Sequence, residues 1–169
     1  MPSTDDEILE IVTLDDRVVG RATRAEIHAQ GLFHRAVHIF VFNRDGDLYV
    51  QRRSPEKDRH PSKLDSSAAG HVDPGESYEQ SARRELDEEL GLSEAVEEVL
   101  SVQPRSETDN EHVRLFQVVT ASKPQPNPSE IQWGAFISSE NLTRLMDESP
   151  EDFVPAFMLL WNEFQRKRR

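Results

Sequence analysis

Apolar and polar residues alternate in short runs along most of the chain, and only a few segments switch to helical spacing. EILEIVT (7–13) and RVVGRAT (17–23) flank Leu14-Asp15-Asp16 and read as two short strands around a turn. ATRAEIHAQG (22–31) follows as a short helix stopped by Gly31. AVHIFVFNRDGDLYVQRR (36–53) is the clearest hairpin: two β-rich runs enclose NRDGD, whose Asp45-Gly46 suits the positive φ of such turns. EEVLSVQPRSET (97–108), HVRLFQVVTA (112–121) and IQWGAFI (131–137) read as further strands, the last preceded by the proline-rich loop KPQPNPSE (123–130). Helices are expected at 138–147 and 151–167. Strands, helix, strands, helices, without repeats, predict a single α/β (mixed α+β) domain over residues 1–169, its mixed sheet sandwiched between helices and preceded by a β-hairpin.

The strongest helical signal lies in GHVDPGESYEQSARRELDEELGL (70–92). Ser77 is a good N-cap, Gln80 completes a capping box, and Gly91 sits where a C′ glycine belongs, so the spacing predicts a helix over 78–90. Ala82, Leu86 and Leu90 form the stripe that packs on a sheet. Glu85, Glu88 and Glu89 fall at i, i+3 and i+4, so their carboxylates crowd one adjacent face. Such like-charge pairs cost a few tenths of a kcal/mol each in an isolated helix. Two readings fit: a solvated acidic helix, or a site for a divalent cation that reverses the sign of the interaction. Carboxylate oxygens suit Mg²⁺ or Mn²⁺, which keep waters that a phosphate can displace. Zinc is not expected, because no His/Cys set shows its usual spacing. Glu76, just before the helix, is placed to bond free backbone N–H groups or a metal-bound water.

Composition narrows the functions. The 169 residues hold no cysteine, which excludes disulfides, thiolate metal sites and cysteine nucleophiles and fits a cytoplasmic location. MPSTDDEILEIV lacks the basic and apolar regions of an export signal, and no run approaches a membrane span. With 32 acidic against 20 basic residues the formal charge is −12, which disfavours nucleic-acid polymers as partners. A small phosphorylated substrate needs local cations or bound metal against that field. The basic end QRKRR reads as a frayed, solvated helix terminus.

The 70–92 stretch resembles the Nudix box: Gly, five residues, Glu, seven residues, then Arg-Glu-(apolar)-any-Glu-Glu-any-Gly-(apolar). Gly70, Glu76, Arg84, Glu85, Leu86, Glu88, Glu89, Gly91 and Leu92 meet it without a departure. From average residue frequencies a chance match has odds on the order of one in ten million. The resemblance implies a mixed α/β fold holding Mg²⁺ or Mn²⁺ and hydrolysis of a diphosphate linkage in a nucleoside diphosphate joined to another group. It implies Glu85, Glu88 and Glu89 as metal ligands, aided by the Gly70 carbonyl, with Glu76 and Arg84 orienting them. A further carboxylate, from the cluster or a later loop, often serves as base, and Glu111 in the polar TDNEH turn is a candidate. Small members of that family are often dimers, so the resemblance also allows a homodimer.

RRSPEKDRHPSKLDSSAAGHVDPGES (52–77), with FHRAVHIFVF upstream and, more weakly, IQW and DFVPAF, also resembles isopentenyl-diphosphate isomerase, a Nudix-fold enzyme that does not hydrolyse. That likeness puts Arg53 and Lys57 where the isomerase holds its substrate's diphosphate. It puts His34, His71 and Glu111 on metal-ligand positions, Asp109 near another, and His28 on one more with a one-residue shift. Three departures oppose isomerisation. Ala69 replaces the essential cysteine, Ala156 replaces an aromatic residue, and the box keeps all three glutamates. Hydrolysis is therefore the expected activity, with an isomerase-like enzyme or a non-catalytic nucleotide-binding domain as alternatives. His34 and His38, two apart on a strand, face the same way, and Arg52 and Arg53 face opposite ways. Trp133, Phe136, Phe153 and Phe157 are expected in the core rather than stacked on a base.

Overall fold

The computed structural model describes residues 3–169; Met1 and Pro2, at the start of the expected domain, lie outside the described residues. Strands β1 (Ile8–Val12) and β2 (Val18–Thr23) pair antiparallel, and helix α1 (Arg24–Gln30) follows, ended by Gly31. A seven-stranded mixed sheet comprises β3 (His34–Phe42), β4 (Leu48–Arg53), β5 (Leu64–Asp65), β6 (Ala68–His71), β7 (Glu97–Val102), β8 (Glu111–Val119) and β9 (Ile131–Ile137). Helices α2 (Tyr78–Leu90), α3 (Ser139–Glu148) and α4 (Pro155–Lys167) complete the chain. Among the described residues no helix is long and apolar enough to cross a membrane.

The expected 36–53 hairpin forms at its turn, where Gly46 has φ 84° and donates to the Asn43 carbonyl. Its arms then separate: β3 and β4 meet only at Phe42–Leu48. β3 pairs in parallel with β8 along its whole length and antiparallel with β6, while β4 pairs with β5 and β9. Buried Ser67 bridges the gap, its hydroxyl accepting from Val41 N and donating to the Tyr49 carbonyl. β5 and β6, which line this gap, are too short to carry a periodic signal of their own.

Alternation along the strands divides the core into two layers. Val37, Ile39 and Val41 pack with Ala82, Leu86 and Leu90, the predicted stripe of α2. Ala36, Phe40 and Phe42 pack on the other face with Leu142, Met146, Phe157, Trp161 and Phe164 of α3 and α4. The final helix starts later than expected because Pro150–Asp152 forms a 3₁₀ turn, and Pro155 occupies the first helical turn, where its missing N–H costs nothing. Phe153 and Phe157 are core residues as expected, whereas Trp133 is 44% exposed, its ring under the Arg52 guanidinium.

Candidate active site

Helix α2 runs between the two caps read from the sequence: Ser77 accepts from Gln80 N, Gln80 answers to Ser77 N, and Gly91 takes the left-handed conformation at φ 63°. The three glutamates do not share one environment. Glu85 and Glu89 are buried, whereas Glu88 is exposed, because the helix turns i+3 away from the sheet. Glu85 lies directly over Gly70: a Cβ there would come within 2.1 Å of Oε1, so only glycine lets the carboxylate approach this backbone. Arg84 holds the group together. It donates to Glu85 Oε1 (2.7 Å), to both Glu76 oxygens (2.9 and 3.1 Å) and to the His71 carbonyl (3.0 Å), with a longer contact to Glu88 (3.3 Å). Glu76 also accepts from Asp73 N, and Gly75 N donates to buried Glu10, so the loop before the helix is pinned from two sides.

The charges are unbalanced. Burial pushes the Glu85 carboxyl up to about 7 despite Arg84. Burial, then the neighbouring Glu85 charge, raise Glu89 well above the usual carboxylate range, and its single hydrogen bond, from Gln51 Nε2 (2.9 Å), does not compensate. Two buried carboxylates, of which only Glu85 is paired with a guanidinium, form a donor set of hard oxygens that lacks positive charge, which fits Mg²⁺ or Mn²⁺.

The adjacent residue, His71, points to the opposite face of β6 and joins a second cluster. His28 from α1, His34 from β3 and His71 bring ring nitrogens within 4.8 Å of one another. Glu111, paired with His34 across β3 and β8, accepts from His71 Nε2 (3.1 Å) and lies 3.4 Å from His34 Nε2. The buried Nε2 atoms of His28 and His34 have no hydrogen-bond partner among the described residues. Burial, above all, drives His28 down to about 4; His71, though buried, is raised to about 9 by Glu111 and Glu7. Burial alone would raise Glu111, but His34 and His71 outweigh it and hold the carboxyl low. His38, by contrast, is satisfied by the Ser66 hydroxyl at 2.7 Å. Spacing along the chain suggests no histidine metal set, because these side chains come from segments far apart in sequence; the isomerase likeness is what places His28, His34, His71 and Glu111 together. Glu111 also lies away from the α2 carboxylates, because odd-numbered residues at the start of β8 face α3 and α4.

Arg53 and Lys57 both have protein partners. Arg53 donates to Asp65 (3.1 Å) and, through Nε and Nη2, to the Arg59 carbonyl; Lys57 pairs with Glu130. Asp109 pairs with Arg59.

A NUDIX domain family model matches residues 32–157. The chain belongs to the Nudix family. It is 31% identical to an isopentenyl-diphosphate Delta-isomerase of Serratia proteamaculans, over 97% of both chains. It is 35% identical to an uncharacterized Nudix hydrolase of Yersinia pestis, over 94% of this chain and 87% of that one. A crystal structure of DR0079 from Deinococcus radiodurans superposes with a TM-score of 0.75 at 30% identity, covering 84% of this chain and 90% of that one. The mixed α/β Nudix fold with its N-terminal hairpin thus agrees with the expectation.

Glu10, Gln51 and Glu130 escaped the sequence reading. Gln51 offers the one signal that could have been used: it is a polar residue between apolar and charged strand positions on the face that alternation turns toward α2.

Proposed function

We propose that this Nudix protein is a metal-dependent pyrophosphohydrolase, acting as one domain over residues 1–169 and cleaving a diphosphate linkage in a nucleoside diphosphate derivative or similar small molecule. The observation that carries the reading is the buried pair Glu85, which lies over Gly70, and Glu89, one turn on, with too little positive charge to ionise both. In this reading Glu85, Glu88, Glu89 and the Gly70 carbonyl hold Mg²⁺ or Mn²⁺. The cation would lower the pKa of a water and polarise a phosphoryl oxygen. Arg84 sets the Glu85 carboxylate, Glu76 fixes Arg84, and Gln51 fixes Glu89 Oε2. Lys57 and Arg53 supply positive charge for the diphosphate, and Ala69, where the isomerase has its cysteine, can carry no proton.

The test is a hydrolysis screen of wild type and Glu89→Gln against nucleotides, nucleotide sugars, dinucleotides and isopentenyl diphosphate, with Mg²⁺, Mn²⁺ or EDTA, read by mass spectrometry. Metal-dependent cleavage that falls at least about a hundredfold in the variant is expected. Conversion of isopentenyl diphosphate to its allylic isomer without loss of phosphate would overturn the reading. The orphaned nitrogens of His28 and His34 favour a second metal site, as in the isomerase likeness, formed with His71 and Glu111.

A further inference from the structure

The glycine that admits Glu85 to a strand backbone has a counterpart elsewhere on the α2 face of the sheet. β9 is an edge strand paired with β4, and in that ladder Gly134 stands opposite Gln51. Gly134 has no positive φ, so what it supplies is close approach: a Cβ there would run into the phenol oxygen and ring of Tyr49. Tyr49 precedes Gln51 by two residues on β4, and its ring, 5.2 Å from that of its partner Phe136, leans diagonally across the ladder onto Gly134. Tyr49 and Gln51 share the α2 face, and opposite positions on such a ladder carry their Cβ atoms about 5 Å apart. The phenol oxygen therefore stands beside the Gln51 side chain, whose Nε2 donates to Glu89 Oε2 (2.9 Å). Tyr49 is 5% exposed, yet its one side-chain partner, the Ser67 hydroxyl, goes to its carbonyl, and its own hydroxyl has none among the described residues. A phenol this buried ordinarily finds a partner. Solvent reaches the oxygen, because the atoms both sealed and unpaired belong to His28 and His34 alone among the described residues. Gln132, Trp133 and Ala135 are exposed, so it opens on an uncovered sheet edge.

We propose that the Tyr49 hydroxyl is a substrate-binding group, donating to a phosphoryl oxygen of a diphosphate held at the carboxylate site. The proposal rests on the reading of Glu85 and Glu89 as a divalent-cation site. The chemistry favours a neutral donor at this position. An ammonium or guanidinium there would pair with the carboxylates and compete with the metal, as Lys57 already pairs with Glu130 and Arg53 with Asp65. A phenol carries no charge, and burial raises its pKa, so it keeps the proton it would donate. It thus binds an anion without weakening the metal site, which suits a chain whose net charge of −12 otherwise repels phosphates. Hydrogen bonds to a charged acceptor are also the stronger kind. Covering Gly134 requires only the ring, which phenylalanine would supply as well; the oxygen is what packing leaves unexplained.

Tyr49→Phe keeps the ring over Gly134 and removes the oxygen alone. Mn²⁺ binding is measured by calorimetry on the full chain, followed by binding of methylenediphosphonate, a non-hydrolysable diphosphate, in saturating Mg²⁺. The variant is expected to bind Mn²⁺ as wild type does and to melt at the same temperature in EDTA. It is expected to bind methylenediphosphonate about tenfold more weakly. Equal methylenediphosphonate affinity in wild type and Tyr49→Phe, or none in wild type, overturns the proposal and leaves the reading of Glu85 and Glu89 intact. A variant that loses Mn²⁺ affinity or thermal stability together with methylenediphosphonate overturns it too, because the hydroxyl would then act on the fold. Absence of Mn²⁺ binding by wild type overturns the reading of Glu85 and Glu89, and this proposal with it.

Discussion

Gly70 and His71 are neighbours on one four-residue strand, yet they serve two unlike clusters on opposite faces of the sheet. The carboxylates of the Gly70 side come from one contiguous stretch, a loop and a helix whose caps, stripe and acid spacing can all be read in order, and only their supports Glu10 and Gln51 lie elsewhere. The His71 side is assembled from α1, β3, β6 and β8, and none of those segments announces it alone. Their electrostatics differ as well. The carboxylates of Glu85 and Glu89 are crowded into low dielectric and resist ionising, whereas Glu111 and Glu7 already balance His71. One cluster is frustrated as a whole; the other is nearly satisfied and leaves two nitrogens idle. Chemistry concentrated in one element is legible from spacing, whereas chemistry assembled by sheet pairing shows in the sequence only through the isomerase likeness.

The sharpest way to break the first cluster without touching an acid is Gly70→Ala. The added Cβ would collide with Glu85 Oε1, the far end of a flexible side chain, so Glu85 swings away and the fold survives. Turnover should fall about a thousandfold, and the thermal stabilisation by Mg²⁺ should disappear. A variant that keeps both would show that Glu85 need not sit over that backbone.

The electrostatic contrast predicts how metal-free protein responds to pH. Glu85 has an ordinary value of 4.5 and a folded value of about 7, so between those limits the folded state holds more protons than the unfolded one. Stability therefore falls as pH rises from 4.5 to 7, by an upper bound on the order of 3 kcal/mol from this group. His71, raised from 6.5 to about 9, adds stability that is present below 6.5 and lost as pH rises to 9. Both act in the same direction, whereas His28, held down to about 4 from 6.5, gains stability as pH rises through that range and offsets Glu85 there. In EDTA the melting temperature should therefore decline from about pH 6.5 to 9, where His71 and the upper part of the Glu85 titration act together. A melting temperature that rises over that range would contradict both shifts.

What could be read in advance follows from the range of each interaction. The limits of α2, the stripe Ala82-Leu86-Leu90 and the Arg84–Glu76 pairing all lie within one or two helical turns or the preceding loop. The splitting of β3 from β4 was hidden because Ser67, a residue without pattern, stands in for the missing ladder. Glu88 was grouped with Glu85 and Glu89 by spacing, but its place on the solvent side depends on how α2 rolls against the sheet. Glu130 lies in a segment that reads as an ordinary proline-rich loop until its hydrogen bonds to the end of α2 are seen.

The smallest predicted effect concerns the second cluster and separates it from the first. Co²⁺ favours imidazole nitrogen more than Mg²⁺ does, and His28, driven down to about 4, is neutral and ready to ligate at neutral pH. Co²⁺ added to metal-free protein should develop visible absorption from the histidine site, and His28→Gln should weaken that binding about tenfold. Glu89→Gln, on the other face of the sheet, should leave the spectrum and its titration curve unchanged. The opposite pattern, loss in Glu89→Gln and no change in His28→Gln, would make the idle nitrogens a packing feature and leave the carboxylates alone in holding metal. If both variants lose the signal, the faces are coupled, and the route available is the His71 carbonyl, which accepts from Arg84 while its own ring contacts Glu111.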